Sequence, residues 1–196
     1  MEGEIKRFGI DGAEVCLTRI TGRGRVAERA ATQRLVEAMF GSGTVLGHTD
    51  CGAPTVAGYD DGRVSVSHGA VCAVVAVCGR GVRVGVDVES AREQLRRVTG
   101  RILTAAERVA LPMPEQCDIR MLQRIWTAKE AVYKLTPDNG RMTLGEIDVL
   151  RAEDTDAWQR GDSIVSRAGV RVSFVDLEGD ALLAVATMVS SREGRG

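Results

Sequence analysis

The chain is short of aromatics, histidine and proline, and each shortage removes a class of explanation. Aromatic residues make up 4% of the 196, so the core is expected to rest on Val, Leu, Ile, Met and Ala. The only histidines are His48 and His68, and the five cysteines (Cys16, Cys51, Cys72, Cys78, Cys117) form no C-x-x-C pair. A structural zinc site clusters its Cys and His ligands, so none is expected, and scattered single thiols read as free cysteines. No nucleophile signature surrounds any of them, which argues against thiol catalysis. Neither sign of charge dominates: 26 Lys+Arg stand against 27 Asp+Glu, a formal net charge of −1. That excludes nucleic-acid binding through overall basicity. No apolar run has the length of a membrane span, and MEGEIKRFGI carries charges where a signal peptide needs an apolar stretch. The reading is a cytoplasmic protein that engages neither membrane nor nucleic acid.

What is present is glycine-punctuated periodicity. Ala27, Ala31, Leu35 and Met39 recur at i+4 and predict a helix over 26–40, stopped by Gly41 and Gly43. A turn is expected at Asp60-Asp61-Gly62, then a short strand over 63–67 and a buried strand over 70–77, with Gly79-Arg80-Gly81 turning the chain. Residues 82–89 are the clearest strand. Val82, Val84, Val86 and Val88 share one face, and Arg83, Gly85, Asp87 and Glu89 the other. A charged helix is expected over 90–98, broken at Gly100. Thr104-Ala-Ala-Glu107 is a capping-box pattern opening another, ended by Pro112 and Pro114. A longer helix over 118–135 is closed by Pro137. Strand-like segments at 145–150, 170–177 and 181–188 follow, the last two joined as a hairpin through Glu178-Gly179-Asp180, and the tail from Ser190 is polar. This order predicts an α+β fold.

Two elements carry chemistry. Asp87 and Glu89 lie at i, i+2 on one strand face, and Gly85 beside them leaves space. Two carboxylates this close repel unless a proton or a cation sits between them, and Mg²⁺ takes carboxylate oxygens while keeping positions for water and phosphate. The plain alternative is a solvent-facing strand with two ordinary acids. In Trp126-Thr-Ala-Lys129-Glu130-Ala-Val-Tyr-Lys134, Glu130 and Lys134 share a helix face. Glutamate to a metal and lysine to phosphate oxygens would suit a metal-bound diphosphate. The plain alternative is a helix salt bridge.

Taken together, G-V-D-V-E followed by W-T-A-K-E-A-V-Y-K resembles the signature pair of the 4′-phosphopantetheinyl transferase superfamily. Val64-Ser-Val-Ser67-His68-Gly69 is similar to that family's strand ending in S-H-S or S-H-G. Cys51-Gly-Ala-Pro54 resembles its upstream G-K-P segment, and Thr104-Ala-Ala-Glu107 its acidic position between the two main motifs. The length and the S-H element resemble the surfactin-synthetase-activator type. That resemblance implies a pseudo-dimer of two similar α+β halves, here 1–79 and 80–190 with a tail at 191–196, and a monomer that suffices for activity.

The resemblance further implies transfer of 4′-phosphopantetheine from coenzyme A to a serine of an apo acyl or peptidyl carrier protein, releasing 3′,5′-ADP. Asp87, Glu89 and Glu130 match the Mg²⁺ ligands, and Lys134 matches the lysine at the phosphates. Lys129 is expected near the nucleotide. Ser67, His68 and an arginine of the first helix, Arg29, are expected at the 3′-phosphate, and Glu107 is the expected general base. Ala53 departs from the lysine of G-K-P, and Cys51 from a common aromatic, which places a phosphate contact in doubt. Arg92 and Arg96 are expected on one helix face as part of a docking patch for an acidic carrier. Rival readings are a non-catalytic binder of coenzyme A or carrier and a Mg²⁺-dependent diphosphate hydrolase.

Overall fold

The computed structural model describes residues 3–59, 63–111, 116–135, 142–150, 158, 164–165 and 170–189. The expected turn at 60–62, the prolines at 112, 114 and 137, and the tail lie outside these residues.

The first half of the chain contributes strands β1 (Ile5–Ile10) and β2 (Ala13–Arg19) and helix α1 (Gly24–Phe40). A two-residue pair follows, β3 (Gly47–His48) with β4 (Pro54–Thr55), then β5 (Val64–His68) and β6 (Cys72–Cys78). The second contributes β7 (Val82–Ser90), helices α2 (Gln94–Ile102), α3 (Ala105–Ala110) and α4 (Ile119–Leu135), and strands β8 (Ile164–Val165), β9 (Arg171–Asp176) and β10 (Ala181–Val189). The strands form two antiparallel four-stranded sheets, ordered β1-β2-β6-β5 and β7-β10-β9-β8. The expected α+β organisation is what the chain adopts.

Alternation along the strands sorts side chains into three apolar layers. Ala31, Leu35 and Val36 of α1 pack on Val75 and Val77 of β6. Val74 and Ala76, on the other face of β6, meet Val84, Val86 and Val88 of β7 and Leu183 and Val185 of β10. Ala184 and Ala186, on the far face of β10, meet Leu122, Ile125, Ala128 and Val132 of α4. The helices therefore lie outside and the sheets inside, which explains why β6 reads as a continuous apolar run: it is covered on both faces. The two sheets also share a topology. In each, a strand (β2 or β7), a long helix (α1 or α4) and an antiparallel pair (β5–β6 or β9–β10) follow one another, and the last strand lies in the middle.

Three expectations need correction, and one element was not anticipated. Gly85 does not leave open space. A Cβ there would stand 2.0 Å from the Ala131 carbonyl oxygen, so the residue is small because α4 lies against β7. The helix expected over 90–98 is displaced to Gln94–Ile102 and passes through Gly100. Leu95, Thr99 and Ile102 form its buried stripe, and that burial outweighs the roughly 1 kcal/mol that a helical glycine costs. Residues 145–150 are not a strand but a 3-10 turn, Leu144–Glu146, followed by irregular chain. Ile147, Val149 and Leu150 are buried, and their backbone groups bond to side chains described below. Finally, the β1–β2 hairpin is absent from the expectations. Its signal is Asp11-Gly12, both at positive φ (48° and 80°), the pairing that a two-residue hairpin turn demands. Among the described residues, no helix is long and apolar enough to cross a membrane.

Substituting Gly85→Ala should force α4 away from β7. An overpacking cost of about 1–3 kcal/mol corresponds to a melting temperature lower by roughly 3–10 °C in a chain of this size. A thermal melt matching the wild type would contradict the close packing.

Candidate active site

Strand β7 runs between β5 of the first half and α4 of the second, and the polar residues meet there. Ser65 and Ser67 of β5 turn their hydroxyls toward β7, where they accept the N–H groups of Val86 (3.0 Å) and Val88 (3.2 Å). Ser67 Oγ also donates to Asp87 Oδ1 at 2.9 Å. Lys134, in the last turn of α4, lies 2.9 Å from the same Asp87 oxygen and donates to Val86 O at 3.0 Å and Ser67 Oγ at 3.2 Å. An ammonium has three donors, and this geometry uses all of them. Asp87 is only 8% exposed, so a charge partner is what makes its burial tolerable.

Glu130 precedes Lys134 by one helical turn. Burial, and then the neighbouring Asp87 carboxylate, push its carboxyl above the usual range; Lys134 pulls it back, and Glu89 adds to the upward push. Glu89 itself is turned aside: its Oε2 pairs with Arg92 at 2.5 Å and its Oε1 accepts the Ser90 N–H at 3.0 Å. Asp87, Glu130, Tyr133 and Lys134 line a cleft of about 510 Å³, closed on the other side by Ser67, His68 and the Cys51–Pro54 loop between β3 and β4. A second cavity of about 480 Å³ adjoins it, sharing Leu46, His48, Val66 and His68, and adding Arg29, Thr32 and Gln33 of α1. A smaller cavity between residues 3–6 and the 177–179 turn shares no residue with either.

The fold thus brings Arg29, Ser67, His68, Asp87, Glu130 and Lys134 to one pair of connected cavities built from both halves. Among the described residues, no three His, Cys, Asp or Glu side chains stand close enough to chelate a metal unaided. The donor chemistry nonetheless fits Mg²⁺, which is held by one or two carboxylates completed by phosphate oxygens and water rather than by an all-protein cage. The repulsion that raises Glu130 is what a divalent cation between the carboxylates would relieve.

Two expected site residues lie elsewhere. Glu107 and Lys129 are both fully buried and pair at 2.6 Å, away from the cleft lining. Glu107 completes the capping box with Thr104 and accepts the N–H groups of Val149 at 3.0 Å and Leu150 at 3.4 Å. Lys129 donates to the carbonyls of Leu144 (3.1 Å) and Ile147 (2.6 Å). Burial pushes the Lys129 ammonium below the lysine range, and Glu107 pulls it back. With every oxygen of Glu107 engaged inside the protein, its placement does not support a role as base at a substrate hydroxyl, nor that of Lys129 a contact with nucleotide. The docking patch also changes: Arg92 precedes α2, and Arg96 is held by Glu93 at 2.8 Å and Cys117 O at 2.7 Å. Missed by the sequence reading are His48 and Tyr133. Tyr133 follows Glu130 at i+3 and so shares its helix face, whereas His48 carries no motif.

Replacing Glu107 with Ala strands Lys129 in the core. Breaking a buried pair in this way costs about 3–5 kcal/mol, readable by denaturant unfolding. A variant as stable as the wild type would show that the pair does not tie α3, α4 and 144–150 together.

No curated protein matches the chain. A family model described as the 4′-phosphopantetheinyl transferase superfamily matches residues 83–186, from the start of β7 to near the end of β10, and so takes in Asp87, Glu89, Glu130 and Lys134. Because that match covers more than half of the 196 residues, the chain belongs to the 4′-phosphopantetheinyl transferase superfamily.

Proposed function

We propose that this protein transfers the 4′-phosphopantetheine arm of coenzyme A to a serine of an apo acyl or peptidyl carrier protein and releases 3′,5′-ADP. The observation that carries the reading is the joining of Lys134, Asp87 and Glu130 in a cleft with Ser67 and His68, next to a cavity holding Arg29. An acidic, lysine-bearing cleft beside a cation-bearing one suits a donor with a diphosphate and a separate phosphate monoester. The shared topology of the two sheets supports a reading as two similar halves, and a cleft built from both makes a monomer sufficient.

Asp87 and Glu130 would hold Mg²⁺, with Glu89 as third ligand once it leaves Arg92. The bound ion supplies Lewis-acid polarisation and charge neutralisation at the diphosphate. The residues of the chain do the rest. Lys134, held by Asp87, Ser67 and Val86, is placed to donate to the phosphate oxygens and to offset charge growing on the leaving 3′,5′-ADP. Ser67 fixes the Asp87 carboxylate from the opposite half. Glu130 lines the cleft, where its carboxylate can accept the proton of the attacking serine. Arg92, 53% exposed between β7 and α2, offers a charge to an acidic carrier at the edge of the site.

The test is to incubate the protein with coenzyme A, Mg²⁺ and a panel of apo carriers and record intact masses. A carrier gains one phosphopantetheine, the gain is abolished by chelator, and Glu130→Gln lowers its rate by at least about a hundredfold, the scale of losing an acid–base group. Coenzyme A consumed without any carrier would favour the diphosphate hydrolase. Coenzyme A bound without turnover on any carrier would favour a non-catalytic binder.

A further inference from the structure

Gln123 of α4 is fully buried, and its amide is bonded at every polar atom. Nε2 donates to Glu89 O at 2.7 Å and to Asp180 O at 2.9 Å, and Oε1 accepts from Arg120 at 2.9 Å. The partners fix which end of the amide points where. A carbonyl only accepts and a guanidinium only donates, so the reversed amide would lose all three bonds. Arg120, itself partly exposed, is tied in turn to Asp180 O at 3.0 Å and to Asp176 at 3.4 Å. Packing alone does not ask for a glutamine here. A methionine has similar length and brings no buried amide that must find partners.

The position of these bonds connects them to the cleft. Glu130 lies seven residues after Gln123, two turns on and so on the same face of α4, and four residues before Lys134. Gln123 donates to Glu89 O and Lys134 to Val86 O, so α4 is fastened to the backbone of β7 on either side of Glu130. With the contact at Gly85, these two ties set how far along the strand the helix sits, and hence where Glu130 stands against Asp87. The carbonyl held by Gln123 also belongs to Glu89, so its orientation bears on where the Glu89 carboxylate can turn. Asp180 O, the second acceptor, also takes the Ala91 N–H at 3.3 Å, which fastens the chain just beyond Glu89.

We infer that Gln123 is a positioning residue of the cation site: it acts through Glu89 and Glu130 without touching the ion. This deepens the transferase reading and rests on it. Groups that orient metal ligands from behind hold them in place before the ion arrives, and losing one costs about 10–100-fold in metal affinity or activity.

The test is Mn²⁺ binding to the full chain with coenzyme A present, read by electron paramagnetic resonance, beside coenzyme A binding in chelator, read by calorimetry. Gln123→Met keeps the length of the side chain and removes all three hydrogen bonds. It weakens Mn²⁺ by about tenfold, the lower end of that range, and leaves metal-free coenzyme A binding within about twofold of the wild type. Mn²⁺ affinity equal to the wild type in the folded variant overturns the role of Gln123 alone. Equal losses of Mn²⁺ and of metal-free coenzyme A binding show a general loosening of the cleft and also overturn it. Should Gln123→Met not fold, Arg120→Met decides, because it removes the group that orients the amide from a partly exposed position: weaker Mn²⁺ binding supports the inference, and unchanged binding overturns it. A folded wild type that binds no Mn²⁺, with or without coenzyme A, overturns the cation site and this inference with it.

Discussion

The site depends first on how closely α4 lies against β7. The close approach is set at Gly85, where even a methyl group would meet the Ala131 carbonyl, and its consequences appear one turn along the helix. Lys134 reaches a backbone carbonyl of β7 and the Asp87 carboxylate together, which a side chain does only if its helix lies directly on the strand. Glu130 is then set beside Asp87 closely enough for the Asp87 carboxylate to help push the Glu130 carboxyl above its usual range. The strained electrostatics of the cleft thus follow from one residue's lack of a side chain. Binding of a cation is the natural relief for such a pair of carboxylates, and phosphate is the natural partner for the lysine beside them.

The same helix divides its charges by direction. Lys129 and Glu130 are neighbours in sequence, about 100° apart around an α-helix. Lys129 turns inward to Glu107 and to the carbonyls of 144 and 147, and Glu130 turns to the cleft. The inward half fastens α3 and the chain after α4 to the back of the helix; the outward half lines the cleft. A buried ion pair contributes little net stability over an apolar pair but penalises any arrangement that breaks it, so its effect is to fix the position of α4 from behind.

Much of this was legible in the residues. The valine alternation of β7 and the i, i+4 pair on α4 predicted two elements and which faces they share, and both elements line the cleft. The helix and buried strand of the first half were equally readable, since α1 has one apolar column and β6 is apolar throughout. Other features were not, for physical reasons. The apolar spacing of Ile147, Val149 and Leu150 mimics a strand, but the backbone there bonds to Glu107 and Lys129, partners far away in sequence. Glu107 satisfies a capping box in any reading, and only burial separates that role from a catalytic one. His48 enters the site through a two-residue strand too short to leave a periodic signal.

The central claim is that Asp87 and Glu130 form a cation site in the cleft between the halves, beside Lys134. The most direct measurement is anomalous scattering from crystals grown with Mn²⁺ and coenzyme A. The account predicts one strong peak within coordination distance of both carboxylates and of the diphosphate, with Lys134 on the phosphate oxygens. A peak elsewhere on the protein, or coenzyme A bound in the cleft with no metal beside these carboxylates, would contradict it.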